Sequence, residues 1–366
     1  MGTSFVKIKK MTIEQVTLLK GIGILLIVLH NFWHWVPPTL GENEFSFDPN
    51  LFQTYIDHFL IYPEQIIPLL FSFFGYMGVY LFIFLSVYGI SISLNNNPRS
   101  YYNFMYRRFS TLYISFLICL VFYVVVRLTM SKMGLINGPD LQWNSIFFKL
   151  LLISNFIPGE ALSPVGPWWF IPFIFQTYLI LPVLIKLYQK CGDIFLILIA
   201  ISGVILEVFY PFNFPNLNFS PLGYMPLICL GIFTSFKEEI KIQKWLLALI
   251  MIIYCASQFL FPLWIISDVL FTIIVISIAN HYLFERKSHK YTVKLFMFLG
   301  SISLHLFLVN GFLRRPFYNV VVSFESWWVT ILMGIAFLLF SILIAFLLGK
   351  VENRARLYIK KMAFGN

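Results

Sequence analysis

Charge is what this sequence has least of. Only 11% of its 366 residues are Asp, Glu, Lys or Arg, against about 25% in soluble domains. So little polar surface cannot clothe a water-facing globule, which excludes a soluble nucleotide-binding fold. Disorder goes out too, since it needs low hydrophobicity and abundant charge. Cysteine is scarce: Cys119, Cys191, Cys229 and Cys255 show no C-x-x-C spacing and sit in or beside apolar runs. They read as small hydrophobes, neither disulfides nor a zinc site. The first apolar run passes into His30-Asn31-Phe32-Trp33-His34-Trp35-Val36-Pro37-Pro38 without a small-residue cleavage site, so it is expected to stay in the membrane. No internal repeat is visible, which weighs against transporter folds built from inverted halves.

What is present in quantity is apolar: 59% hydrophobic and 19% aromatic residues. A transmembrane helix needs about 20 mostly apolar residues. That ruler predicts spans near 18–36, 69–94, 109–130, 167–188, 193–210, 222–236, 243–259, 262–284, 293–313 and 326–349. The expected fold is all-α, a polytopic integral membrane protein of about ten transmembrane helices forming one domain over 1–366. The net charge of +10 does not point to nucleic acid, which needs basic residues on one wettable face. Instead 21 of the 26 Lys and Arg fall in alternate segments, at Lys7–Lys20, Arg99–Arg108, Lys186 and Lys190, Lys237–Lys244, Arg286–Lys294 and Lys350–Lys361. Arg127, Lys132, Lys149, Arg314 and Arg315 fall in the others. The positive-inside rule then puts both termini in the cytoplasm.

The longest pieces between spans, 37–68 and 131–166, are predicted to be external. The first carries Glu42, Glu44, Asp48, Asp57 and Glu64 with no Lys or Arg. With its amphipathic stretch near 50–61 it suits a lid or mouth over a cavity, and pieces this long are usually functional.

Titratable groups within spans default to a functional reading; here they are Lys20, His30, His34, Arg127, Glu207, Asp268, His281 and His305. Lys20, Arg127, Glu207 and His281 lie near span ends, where snorkelling to the interface is a sufficient account. Asp268 and His305 are deeper. The first span is richest. At 100° and 1.5 Å per residue, Asn31 falls within about 20° of the line through Lys20, about 16 Å along the axis. His30 and His34, at i and i+4, share a face. Gly21 and Gly23 permit close approach of another helix. Two histidines one turn apart suggest a metal, but no carboxylate stands at ligand spacing, so no metal is expected.

Four stretches make the sequence resemble the membrane-bound acyltransferase family 3. They are Leu19-Lys20-Gly21 through His30-Asn31-Phe32; Gly78-Val79-Tyr80-Leu81-Phe82 through Ser86, followed by Arg107-Arg108; Trp168-Trp169-Phe170-Ile171-Pro172 running to Tyr178 and Pro182; and Leu299-Gly300-Ser301 through His305. The tryptophan stretch is closer to a W-F-L/I branch, with Ile174 and Phe175 where another branch has glutamates. Two departures stand out: Asn31 occupies the family's histidine position, with His30 one residue early, and Asn310 stands where many members have histidine.

The resemblance implies a membrane O-acyltransferase of the cell's inner membrane. It would move an acyl group, most simply acetyl, from cytoplasmic acyl-CoA to a hydroxyl of an extracytoplasmic glycan or lipid-linked sugar. Acyl-CoA would be donor substrate, with no tightly bound cofactor; the acceptor and membrane lipid would be the partners. On this reading Lys20, Arg107 and Arg108 hold the donor's phosphates; orientation in the bilayer is their alternative role. His30 is the expected general base, His34 its rival, and the uncharged ring is the form a base requires. Asn31 or Ser86 fits the oxyanion. Trp168, Trp169, His305 and Asp268 are candidates for the acceptor side, although tryptophan also gathers at membrane interfaces. A transporter or flippase of a glycan or lipid-linked intermediate would use the same polar cavity without bond formation; a non-catalytic scaffold in a glycan-assembly complex is a third reading, against which the basic clusters at the cytoplasmic ends of the first two spans weigh.

Overall fold

The computed structural model describes residues 5–38, 41, 43–209, 217–284 and 290–364. Glu42, Arg286, Lys287 and the last residue of the fifth expected span, Tyr210, lie outside the described residues.

Helix α1 (Ile13–Trp33) starts at a capping box: Thr12 Oγ1 accepts from the Gln15 amide and the Gln15 side chain accepts from the Thr12 amide, satisfying two otherwise orphaned donors. The acidic loop forms α2 (Pro49–Ile61), capped by Asp48. Next come α3 (Ile66–Phe74), a tight turn over Gly75–Met77, and α4 (Gly78–Asn96). Ser100 caps the long α5 (Tyr101–Lys132), and the short α6 (Trp143–Leu150) follows. Then α7 (Phe170–Cys191) ends at Gly192, in the positive-φ conformation glycine takes cheaply. After it come α8 (Asp193–Phe209), α9 (Met225–Ser235), α10 (Lys244–Ser257), α11 (Phe261–Trp264) and α12 (Ser267–Ala279). The chain closes with α13 (Lys290–Ser301), α14 (Ser303–Leu313), α15 (Arg315–Phe324) and the long α16 (Trp327–Phe364).

Every expected span coincides with one of these helices or a broken pair of them. Among the described residues six helical stretches are long and apolar enough to cross a membrane, or seven if α13 and α14, bent by 74° at Ile302, count as one. The runs at 193–210, 222–236 and 243–259 fall on the shorter α8, α9 and α10. Exposed faces are apolar: Ile194, Ile197, Leu198, Ile201 and Ile205 on α8 and Leu332, Leu339 and Leu343 on α16 are all exposed. In water that would be an aggregation surface; in hydrocarbon it is the natural contact. The protein is an all-α, multi-pass membrane protein. Among the described residues a two-stranded sheet interrupts the helices: β1 (Phe5–Lys9) pairs antiparallel with β2 (Glu239–Gln243), Lys7 opposite Lys241.

The core is centred on α1, which packs against α3, α4, α13 and α14. A Cβ on Gly21 would overlap the Phe296 carbonyl, and one on Gly300 the Thr17 carbonyl. Thus α1 and α13 cross backbone to backbone, as small residues allow in membranes. Gly23 meets Gly78 of α4 in the same manner.

Candidate active site

A cavity of about 300 Å³ opens at the C-terminal end of α1. Its walls include His30, Asn31 and His34 from α1, Glu44 and Phe45 from the acidic loop, Tyr76, Trp169 and Arg314. The acidic loop is therefore part of the mouth, through residues 44–45; α2 itself packs on α3, where the Tyr55 hydroxyl meets Ser72 Oγ at 2.6 Å.

The orientation of His30 follows from a broken helix. The last carbonyls of any helix have no partner within it, and α3 stops at Gly75. A Cβ on Gly75 would press on His30 Cβ at 2.6 Å, so glycine brings the break against α1. His30 Nδ1 lies 2.8 Å from the Ser72 carbonyl oxygen. A carbonyl only accepts, so Nδ1 carries the proton and Nε2 holds the lone pair in the uncharged ring. That Nε2 is 3.9 Å from Glu44 Oε2. His34 Nδ1 in turn donates to the His30 carbonyl at 2.6 Å, and the two rings stack with centroids 4.4 Å apart.

Arg314, just past the end of α14, donates to the Asn31 carbonyl at 2.9 Å. Its guanidinium lies 3.7 Å from the centre of the Trp35 ring, a cation–π stack that fixes its plane. Asn31 Nδ2 donates to Asn310 Oδ1 at 2.7 Å, and Asn310 donates back to the Leu306 and Phe307 carbonyls.

The other expected site residues are spread along the fold. Lys20 lies ten residues, about 15 Å, down α1 from His30; its charged neighbour is Arg108, whose guanidinium also sits 5.8 Å from the Phe104 and Tyr178 rings. Arg107 is exposed. Ser86 is seven residues along α4 from Val79 of the cavity wall, about 10 Å. Trp168 is fully buried, its indole donating to the Leu308 carbonyl at 2.8 Å among Phe116, Tyr123 and Phe312; of the two neighbours it is Trp169 that lines the cavity. Asp268 is buried in a neighbouring void of about 20 Å³ that shares Glu44 with the cavity and includes Glu207, room for about one water. His305 faces away, with Nε2 2.6 Å from Glu352 Oε2; that carboxylate also takes a bond from Ser115 and pairs with Arg356.

Sequence reasoning left Glu44 and Arg314 without a role. Both had a signal. Glu44 lies in a long acidic piece devoid of Lys and Arg, and Arg314 is one of only five basic residues on the side the positive-inside rule depletes.

A family model described as an acyltransferase domain matches residues 13–350, nearly the whole chain. No curated protein and no solved structure matches.

Proposed function

Because the chain belongs to acyltransferase family 3, and so is an acyltransferase, we propose that it moves an acyl group, most simply acetyl, from cytoplasmic acyl-CoA to a hydroxyl of an extracytoplasmic glycan or lipid-linked sugar. The chain crosses the cell's inner membrane ten times with both termini in the cytoplasm, α8, α9 and α10 supplying the three shorter crossings. Lys20 and Arg108, at the cytoplasmic end, bind the donor's phosphates, with Arg107 at their edge. The thioester then reaches up α1 toward His30.

His30 Nε2 takes the proton of the acceptor hydroxyl as its oxygen attacks the thioester carbonyl carbon. The C–S bond breaks and the departing thiolate recovers that proton, leaving an ester and free CoA. The Ser72 carbonyl holds the ring in the productive tautomer, and Glu44 stabilises the imidazolium formed in between. The oxyanion role, expected for Asn31 or Ser86, suits Arg314 better: the Asn31 amide is engaged by Asn310, whereas Arg314 brings a fixed positive charge into the cavity. Trp169 offers its face to a sugar ring.

The observation that supports this most is the 2.8 Å contact from His30 Nδ1 to a backbone carbonyl, which leaves Nε2 toward the cavity and Glu44. The test is mass spectrometry of surface polysaccharide from cells carrying the wild-type or the His30→Ala gene, together with labelled acetyl transfer in their membranes. Loss of one ester in both assays is expected; retained transfer in His30→Ala with loss in His34→Ala would hand the role to His34.

A further inference from the structure

Five basic residues were expected on the outer face, where such residues are depleted, and three of them converge. Arg127, Arg314 and Arg315 line one cavity of about 510 Å³, larger than the one at His30. Trp35, Pro164, Gly166 and Arg314 line both, so the two share a wall with Arg314 between them. Against three guanidiniums the outer cavity presents one carboxylate, Asp140. Arg315 is exposed and makes no ion pair among the described residues.

The rim is held under strain. Asp140 and Gln142 have φ of 31° and 49°, conformations that cost a non-glycine residue about 1–3 kcal/mol and persist only where the surroundings impose them. At Asp140 it is Arg127 that does so, donating from Nε to the Pro139 carbonyl at 2.8 Å and from Nη2 to that of Asp140 at 3.2 Å. Tyr318 and Trp35 add flat faces to the walls.

The geometry points to an anion-binding acceptor site: the carbohydrate that receives the acyl group carries a carboxylate or phosphate, which docks on Arg315, with the charge of the backbone-bound Arg127 on the same wall, while its hydroxyl reaches past Arg314 to His30. This deepens the acyl-transfer reading and rests on it only for the acceptor being the carbohydrate. Fork-shaped guanidiniums are the group of choice for both anions.

The experiment uses membranes carrying the full chain, labelled acetyl-CoA and de-esterified envelope polysaccharide from the same cells. The polysaccharide is offered untreated, carboxyl-reduced by carbodiimide and borohydride, or dephosphorylated by hydrofluoric acid. Transfer is expected to fall at least about tenfold after one treatment, the size of one lost charge-assisted hydrogen bond, which identifies the anion. Arg315→Glu is expected to raise KM for the untreated polymer by at least as much and to leave KM for the neutralised one unmoved, with Arg315→Gln between. A second readout avoids catalysis: untreated polymer should raise the Tm of purified wild type and His30→Ala, but not of Arg315→Gln. Equal transfer to, and equal stabilisation by, all three polymers would overturn the anionic acceptor and leave acyl transfer standing. Charge-dependent stabilisation without transfer to any of them would do the reverse.

Discussion

The side-chain amide of Asn31 donates to that of Asn310 across 2.7 Å, joining α1 to α14 beside the cavity that His30 lines. These are the two asparagines that the resemblance set against histidines, and the fold makes them partners. Asn310, fully buried, has its amide oxygen satisfied by Asn31 and its amide nitrogen by two backbone carbonyls, while the half-buried Asn31 stands at the cavity wall.

That pairing predicts non-additivity. Asn31→Ala or Asn310→Ala alone should destabilise by about 1–3 kcal/mol through an orphaned buried amide. The double variant should cost clearly less than the sum, with a coupling of about 0.5–3 kcal/mol. Thermal unfolding of the purified variants measures it; strict additivity would show that the bond contributes nothing.

His30→Ala should lower acyl transfer by about 10²–10⁴-fold, the usual contribution of a general base, while span-forming residues and expression are untouched. The comparison is initial rate per mole of membrane-inserted protein. A rate within a few-fold of wild type would remove His30 from the chemistry.

Arg314→Gln should cost about 10²–10³-fold in kcat, as loss of an oxyanion donor does. Arg314→Lys should recover only part of it, because an ammonium cannot both stack on Trp35 and keep the forked geometry. Should Lys prove as good as Arg, charge alone matters there and the stack is incidental.

Lys149 lies outside the spans, on α6, fully buried with its ammonium on the Ala161 carbonyl. Burial pushes its pKa from 10.5 down to about 7, with Glu160 opposing part of the shift. Between those values the unfolded chain holds more protons than the folded one, so stability rises with pH across that window and the burial penalty is complete below it. Lys149→Met should flatten Tm against pH over this range. Parallel curves for the two proteins would assign the slope to other groups.

Gly21→Ala and Gly300→Ala each force a methyl into a facing backbone carbonyl and should cost about 1–3 kcal/mol by overpacking, seen as reduced yield and Tm. Gly89→Ala, with open space around it, is the control expected to be tolerated.

Much of the architecture was legible because the bilayer enforces it. Backbone groups in hydrocarbon must bond within their own segment, so each of the ten apolar runs marks a helix wherever its side chains end up. The shared face of His30 and His34 follows from helical periodicity, and the room for close approach at Gly21 from its missing side chain. The residues that meet at the cavity were not legible, since no periodicity links residue 30 to 44, 72 or 314. His305 and Trp168 show the same limit from the other side: each has the composition of a site residue, yet one faces Glu352 and the other is sealed in aromatic packing.

The sequence by itself determined that this chain is a helical membrane protein and which end of α1 bears the imidazoles, because hydrophobicity and helical pitch act locally. Only the tertiary structure decided that a helix break at Gly75 turns a carbonyl onto His30, that an acidic loop lays Glu44 beside it, and that three scattered arginines share one cavity. Those contacts join segments up to nearly two hundred residues apart, and such distances close only through packing.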